Sequence, residues 1–133
     1  MKKNRKGFTL IEMAIVVCIL GALTLIAMPS FRAAKITNNE TVAKNNLRQL
    51  ANAFEQYFLF DGALTYPDTM QKVSGYVDSR FMDAEVNGYQ FQIDRPTLHA
   101  FTITAFPTAP GITGNKSFSV SQGAAQVEEL PSS

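Results

Sequence analysis

The hydrophobic pattern begins with one long apolar segment. Between Met13 and Phe31, nineteen consecutive positions carry no charged residue. Extended back to Phe8, the segment would form a helix about 36 Å long, taking about 1.5 Å per residue. That length is enough to cross a lipid bilayer. The pattern therefore predicts a transmembrane helix over residues 8–31.

The next segment, Ala33 to Phe60, contains neither Gly nor Pro and keeps a helical period. Asp61-Gly62 then predicts the end of the helix. A polar gap near Glu40 interrupts the apolar positions, which otherwise recur at steps of three and four and predict one buried stripe. The stripe consists of Ile36, Ala43, Leu47, Leu50, Phe54 and Tyr57 or Phe58.

The last part of the chain predicts short strands. Tyr89, Phe91 and Ile93 alternate with glutamines in a first strand, which Arg95-Pro96 should end. Further strands are predicted over Leu98–Phe106, with His99 inside it, over Ser117–Ser121, and in a short form around Gln126-Val127. Phe101, Ile103, Ala105, Phe118 and Val120 would face inward. The tail Glu128–Ser133 is expected to be disordered.

These elements predict an α+β fold. One long N-terminal helix would have a transmembrane half and an amphipathic half. The amphipathic half would pack on a small C-terminal antiparallel sheet of three to four strands, so that each covers the apolar face of the other. Residues 32–133 would form the globular domain.

Charge is distributed unevenly along the chain. The formal net charge of +1 gives no reason to expect a nucleic-acid partner. Four of the twelve basic residues lie within the first six positions, which leaves eight basic against eleven acidic residues and a formal charge of −3. The positive-inside rule then places the N-terminus in the cytoplasm and the globular domain outside it.

Two other interpretations of the apolar segment remain. A buried core helix conflicts with the size of the rest of the chain, which is too small to wrap such a segment on all sides. A cleaved secretory signal fits the basic start. However, the apolar stretch is long for a signal, ends without an A-x-A-like site, and has Glu12 within it.

Residues 6–12 read Lys-Gly-Phe-Thr-Leu-Ile-Glu. Here the sequence resembles the type IV pilin and type II secretion pseudopilin superfamily, whose members share a basic leader ending in Gly, then Phe, then Glu at the fifth mature position. The resemblance implies a cleaved leader at residues 1–7, with cleavage between Gly7 and Phe8. It also implies N-methylation of Phe8, and an assembly function for Glu12 through the N-terminal amine of a neighbouring subunit.

Glu12 also has a physical interpretation independent of the family. A carboxylate within a transmembrane span costs up to roughly 2.5–3.5 kcal/mol at the bilayer centre, so a partner is expected. The positive end of a helix favours a carboxylate at that position. The alternative is that Glu12 lies near the lipid headgroups and stays solvated.

Gly21 and Pro29 bracket a stretch with a poor helix former at each end. By resemblance, this stretch would lose helicity inside a filament, so that both residues mark a helix break or kink. The alternative is that they permit close helix packing or a gentle bend, since both are common in transmembrane helices.

Other candidate chemistry is sparse. Cys18 is the only cysteine and is expected to be a small buried apolar residue, and His99 is the only histidine. We predict no cofactor, no metal site and no enzymatic activity. Some pseudopilins bind calcium, and Asp78, Asp83, Glu85 and Asp94 would supply oxygen ligands if a loop gathered them, although their spacing matches no EF-hand.

The sequence thus predicts a pilin or minor pilin of a type IV pilus-like filament. Its partners would be the lipid bilayer, a prepilin peptidase and methyltransferase, an inner-membrane assembly platform, and copies of itself or related pilins. It would lie in the bacterial inner membrane before assembly, with its globular domain in the periplasm, and in a surface pilus or periplasmic pseudopilus afterwards. A pseudopilin of a type II secretion system and a membrane-tethered binding domain that never polymerises are the alternatives.

Overall fold

A computed structural model describes residues 6–61, 63–123 and 126–131. The chain divides into two compact units, Met1–Ala34 and Lys35–Ser133. A single helix, α1 (Leu10–Phe60), contributes to both units, and two short 3-10 helices follow at Met70–Val73 and Ser79–Met82. Four strands complete the fold: β1 (Tyr89–Thr97), β2 (Ala100–Pro107), β3 (Ser117–Ser121) and β4 (Glu128–Leu130).

The four strands form one antiparallel sheet in the order β1-β2-β3-β4. Each strand pairs with the next one along the chain, with a tight turn between β1 and β2 and longer loops after β2 and β3. A long N-terminal helix followed by a small antiparallel sheet is the α+β architecture that the sequence predicts.

The predicted helix stripe forms the core of the second unit. Ala43, Leu47, Leu50 and Phe54 are buried, while Ile36, Tyr57 and Phe58 are partly buried. The stripe packs against the inward face of the sheet, and the rings of Phe54 and Phe101 lie 4.9 Å apart, centroid to centroid. Burial on this face confirms the helical period read from the sequence.

The sheet buries the face predicted for it. Tyr89 on β1 is fully buried. The same holds within 2% exposure for the inward residues of the next two strands, Phe101, Ile103, Ala105, Phe118 and Val120. Phe91 and Ile93 are only partly buried, because β1 lies at an edge of the sheet.

Two predictions about β1 and the following turn are wrong. Arg95-Pro96 does not end the strand, which continues to Thr97 after a register shift between Asp94 and Thr97. Proline is tolerated there because β1 is an edge strand, where a missing N–H breaks no ladder bond. His99 lies exposed between β1 and β2 rather than within a strand.

The C-terminal prediction is also partly wrong. The fourth strand covers Glu128–Leu130 instead of Gln126-Val127, so part of the tail expected to be disordered is paired to β3. Lys116 makes an ion pair of 3.0 Å with Glu129 beside this pairing. Ser132 and Ser133, which the disorder prediction also included, lie outside the described residues.

Candidate functional site: the N-terminal segment

The predicted cleavage site lies just before α1. Lys6, Gly7, Phe8 and Thr9 are not helical, and the helix begins at Leu10. All four residues are exposed, with Phe8 exposed to 84%. The Gly7–Phe8 peptide bond is therefore two residues outside the first turn of the helix.

Glu12 and Thr9 bond to each other across the first helical turn. The backbone N–H of Thr9 donates to Oε2 of Glu12 at 2.9 Å, and the backbone N–H of Glu12 donates to Oγ1 of Thr9 at 3.2 Å. This reciprocal arrangement is a capping box, with Thr9 as the N-cap. Thr9 is not among the site residues predicted from the sequence, although Thr-x-x-Glu before an apolar run is a recognisable capping-box pattern.

Within the part of the chain that the structure describes, the capping box leaves Glu12 without a countercharge. Among residues 6–61, 63–123 and 126–131, no ion pair involves this carboxylate. Its side chain is exposed on the helix surface. One hydrogen bond from a neutral amide does not compensate a carboxylate transferred to an apolar environment, so a cationic partner would be favoured there.

The N-terminal half of α1 carries an almost wholly apolar surface. By length and composition this part of the helix could cross a membrane, and none of its apolar stretch is buried by the rest of the protein. Leu10, Leu25 and Ile26 are exposed to between 72% and 91%. A surface of this size needs to be covered by lipid or by other apolar helices.

The two predicted helix-breaking residues lie within an uninterrupted helix in the isolated chain. Gly21 and Pro29 are both inside α1, and a Cβ added at Gly21 would contact no described atom within 4 Å. Pro29 has no N–H, so the carbonyl of Leu25 lacks its usual donor four residues later. The side chain of Thr24 donates to the carbonyl of Leu20 at 2.8 Å in the preceding turn.

The other candidate groups are not gathered into a site. Within the described ranges, no three His, Cys, Asp or Glu side chains are placed to hold a metal ion. Asp78 instead caps the second 3-10 helix by accepting a hydrogen bond of 3.0 Å from the N–H of Arg80. Cys18 is exposed on the apolar surface of α1, contrary to the prediction of a buried residue.

The polar gap in the helix stripe makes contacts that the sequence did not predict. Asn39 donates from Nδ2 to the carbonyl of Thr113 at 2.8 Å, and Glu40 accepts from the N–H of Asn115 at 3.0 Å. Both contacts hold the loop between β2 and β3 against α1. Tyr89 donates to the carbonyl of Lys116 at 2.8 Å within the same region.

The geometry of a long exposed apolar helix, a capped acidic first turn and a helix-packed antiparallel sheet defines a pilin-like protein. Residues 2–28 match the family model described as a prokaryotic N-terminal methylation motif. The type II secretion system core protein G of Vibrio cholerae is 31% identical over 126 residues, covering 79% of this chain and 85% of that protein. The chain belongs to the type IV pilin and type II secretion pseudopilin superfamily.

The matches to two other relatives cover a smaller share of each relative's length. The type II secretion system core protein G of Pseudomonas aeruginosa is 36% identical over 76 residues. This match covers 57% of this chain and 52% of that protein. The type IV major pilin PilA of Myxococcus xanthus is 43% identical over 55 residues, 41% of this chain and 25% of the pilin. No solved structure gives a significant match.

Proposed function

We propose that the chain is the precursor of a structural subunit that polymerises through the N-terminal half of α1 into a type IV pilus-like filament. The observation that carries the proposal is the exposed apolar surface of residues 8–31, most of which lies within the methylation motif matched over residues 2–28. In the membrane, lipid covers this surface. In the filament, the corresponding helices of other subunits replace the lipid, with packing and polar contacts favouring association.

Processing is expected between Gly7 and Phe8 by a prepilin peptidase, followed by N-methylation of Phe8. The basic leader holds this bond at the cytoplasmic surface, with the globular domain on the periplasmic side. The fold itself does not demand glycine at position 7: a Cβ there would meet no described atom within 4 Å, and φ of Gly7 lies outside the left-handed region. A requirement for glycine would therefore come from close approach of the peptidase.

The experiment on processing uses Gly7→Val in cells with an active peptidase, with Gly21→Val as the matched control. Gly21 lies inside α1, fourteen positions after Gly7 and away from the cleavage bond. Intact-mass measurement should find residues 1–7 retained in Gly7→Val and removed from both wild type and control. Wild-type protein that retains its leader would overturn the proposed function.

Glu12 is proposed to act between subunits. Cleavage creates an ammonium on Phe8, and in a helix bundle this group can reach the unpaired carboxylate of a neighbouring Glu12. The low dielectric makes such a contact attractive and an unpaired charge costly. Glu12→Gln keeps an oxygen that can accept from the N–H of Thr9, so it removes the charge without removing the capping box.

Co-expression of Glu12→Gln with wild type tests this contact, with the exposed Glu85→Gln as the control. We expect the Glu12 variant to be cleaved and inserted normally but under-represented in sheared filaments relative to the membrane pool. Glu85→Gln should be equally represented in both. Equal representation of Glu12→Gln in both fractions would contradict an assembly function and would favour a solvated Glu12 near the lipid headgroups.

A pseudopilin of a type II secretion system is the second candidate, because the relative covered to 85% of its length is a secretion core protein. Surface filaments at native expression would support a pilus, whereas loss of an exported enzyme on deletion would support a pseudopilus. The inner-membrane assembly platform would be a partner in either system. Function that survives without cleavage would instead favour a membrane-tethered binding domain.

A further inference from the structure

The start of α1 is fixed by three hydrogen bonds that all involve Thr9. Its N–H and Oγ1 take part in the capping box with Glu12, and its carbonyl accepts from the N–H of Met13 at 3.2 Å, the first bond of the helical ladder. An N-cap residue keeps a non-helical backbone while its carbonyl already belongs to the helix. Thr9 is therefore the N-cap residue that sets where the helix begins.

The position of the helix N-cap matters because the proposed cleavage bond lies immediately before it. In an apolar environment an unpaired backbone N–H or carbonyl is costly, which favours extension of the helix towards the N-terminus. Phe8 is an ordinary helix former, and Gly7 disfavours the helix by only about 1 kcal/mol relative to Ala. Neither residue provides a strong stop of its own.

Gly7 does not act as a conformational terminator either. Its φ is outside the left-handed region that a glycine would supply at a sharp turn. Within the described part of the chain, the hydrogen bonds that define the boundary are those of Thr9 and Glu12. The separation of the Gly7–Phe8 bond from the helix thus depends on the capping box.

A helical conformation at Gly7–Phe8 would hinder proteolysis. The carbonyl of a helical peptide unit is engaged in the ladder, and neighbouring N–H and carbonyl groups point along the helix axis. A peptidase needs access to the scissile carbonyl and to the backbone on either side. Only the non-helical form seen here leaves these groups available.

We infer that Thr9 is a positioning residue for leader removal: by capping α1 it keeps the Gly7–Phe8 bond outside the helix and open to the peptidase. The inference rests on the proposed function, because it concerns the same cleavage. In this role the side chain of Thr9 need not contact the peptidase. Its effect is exerted on the conformation of the substrate.

The test compares full-length precursors in detergent micelles with a prepilin peptidase that cleaves the wild type. Thr9→Val keeps the shape of the side chain but removes the hydroxyl, whereas Thr9→Ser keeps the hydroxyl. Thr24→Val makes the same substitution further along α1, where the side chain bonds to Leu20 rather than to the capping box. Initial rates of leader release are measured as a function of precursor concentration.

We expect Thr9→Val to lower kcat/KM by about 2- to 30-fold, the range implied by loss of an N-cap. The change should fall on KM with kcat unchanged, because a smaller fraction of the precursor is in the form that binds. Thr9→Ser should restore the wild-type rate, and Thr24→Val should match it. In the same micelles, the carbon chemical shifts of Phe8 should move towards helical values in Thr9→Val alone.

Several results would overturn the inference. Thr9→Val cleaved at the wild-type rate would show that the cap does not control access. Slow cleavage of Thr9→Ser, or slow cleavage of Thr9→Val with unchanged shifts at Phe8, would mean that the peptidase reads the Thr9 side chain directly. A wild-type precursor that no prepilin peptidase cleaves would overturn the proposed function itself, which is a different failure from an unaffected Thr9→Val.

Discussion

The side-chain amide of Asn39 donates a hydrogen bond of 2.8 Å to the backbone carbonyl of Thr113, 74 positions further along the chain. Asn39 is only 9% exposed and lies on the same helix that carries the apolar stripe. The contact attaches the loop between β2 and β3 to α1. It shows that the polar interruption of the stripe is an attachment point for the loop, not a defect in the core.

The second unit should fold without the apolar segment. A fragment lacking Met1 to Met28 keeps all of Lys35–Ser133, which forms a compact unit with its own buried core. We expect it to be monomeric in sedimentation equilibrium and to unfold cooperatively in urea. Association or a loss of near-ultraviolet circular dichroism would show that the core needs residues 1–28.

The helix face that supports this core can be tested by truncation. Leu50 and Phe54 are fully buried, so Leu50→Ala and Phe54→Ala in the fragment should each lower the free energy of unfolding by about 2–5 kcal/mol. Leu59→Ala is the control because Leu59 is 64% exposed, and it should change stability by less than about 0.5 kcal/mol. Losses below that value at both buried positions would contradict the packing.

Loss of the Asn39 amide should also destabilise the fragment. Asn39→Ala leaves the carbonyl of Thr113 without this donor, and we expect a loss of about 1–3 kcal/mol in urea unfolding. Asn52→Ala is the matched control, because Asn52 is exposed on the same helix. Ala is the better helix former, so the control should be neutral or slightly stabilising. Equal stability of the two variants would exclude a contribution from the loop contact.

Two buried tyrosines predict a loss of stability in alkali. Burial, followed by the hydrogen bond and charge of Glu55, raises the pKa of Tyr66 from 10.0 to about 12. Burial, followed by the charge of Glu40, raises the pKa of Tyr89 to about 12 as well. Between pH 10 and about pH 12, the unfolded chain releases protons that the folded chain retains, so the free energy of unfolding should fall as pH rises.

Urea unfolding of the fragment across this pH window measures the effect. The full contribution of both tyrosines is present below pH 10 and is lost as pH approaches 12. In the double variant Tyr66→Phe, Tyr89→Phe, the free energy of unfolding should start lower but decline less steeply. An unchanged slope in the double variant would mean that other groups control the alkaline transition.

Local patterns determined the parts of the structure that depend on neighbouring residues. The uncharged run from Met13 to Phe31 and the three- and four-residue spacing around Leu47 and Leu50 predicted α1 because helical faces follow directly from sequence spacing. The alternation around Phe101 and Ile103 predicted the inward face of β2 for the same reason. The motif at residues 6–12 identified the superfamily, and the spacing of Thr9 and Glu12 contained the capping box.

Contacts between distant segments determined the rest. Pro96 remains within β1 because that strand lies at the sheet edge, a property of strand order and not of local sequence. Glu128–Leu130 becomes a strand because β3 offers it a free edge, and Asn39 is buried because a loop 74 positions away supplies its acceptor. Such pairings depend on which segments the fold brings together. The hydrophobic period within one segment therefore does not predict these long-range pairings.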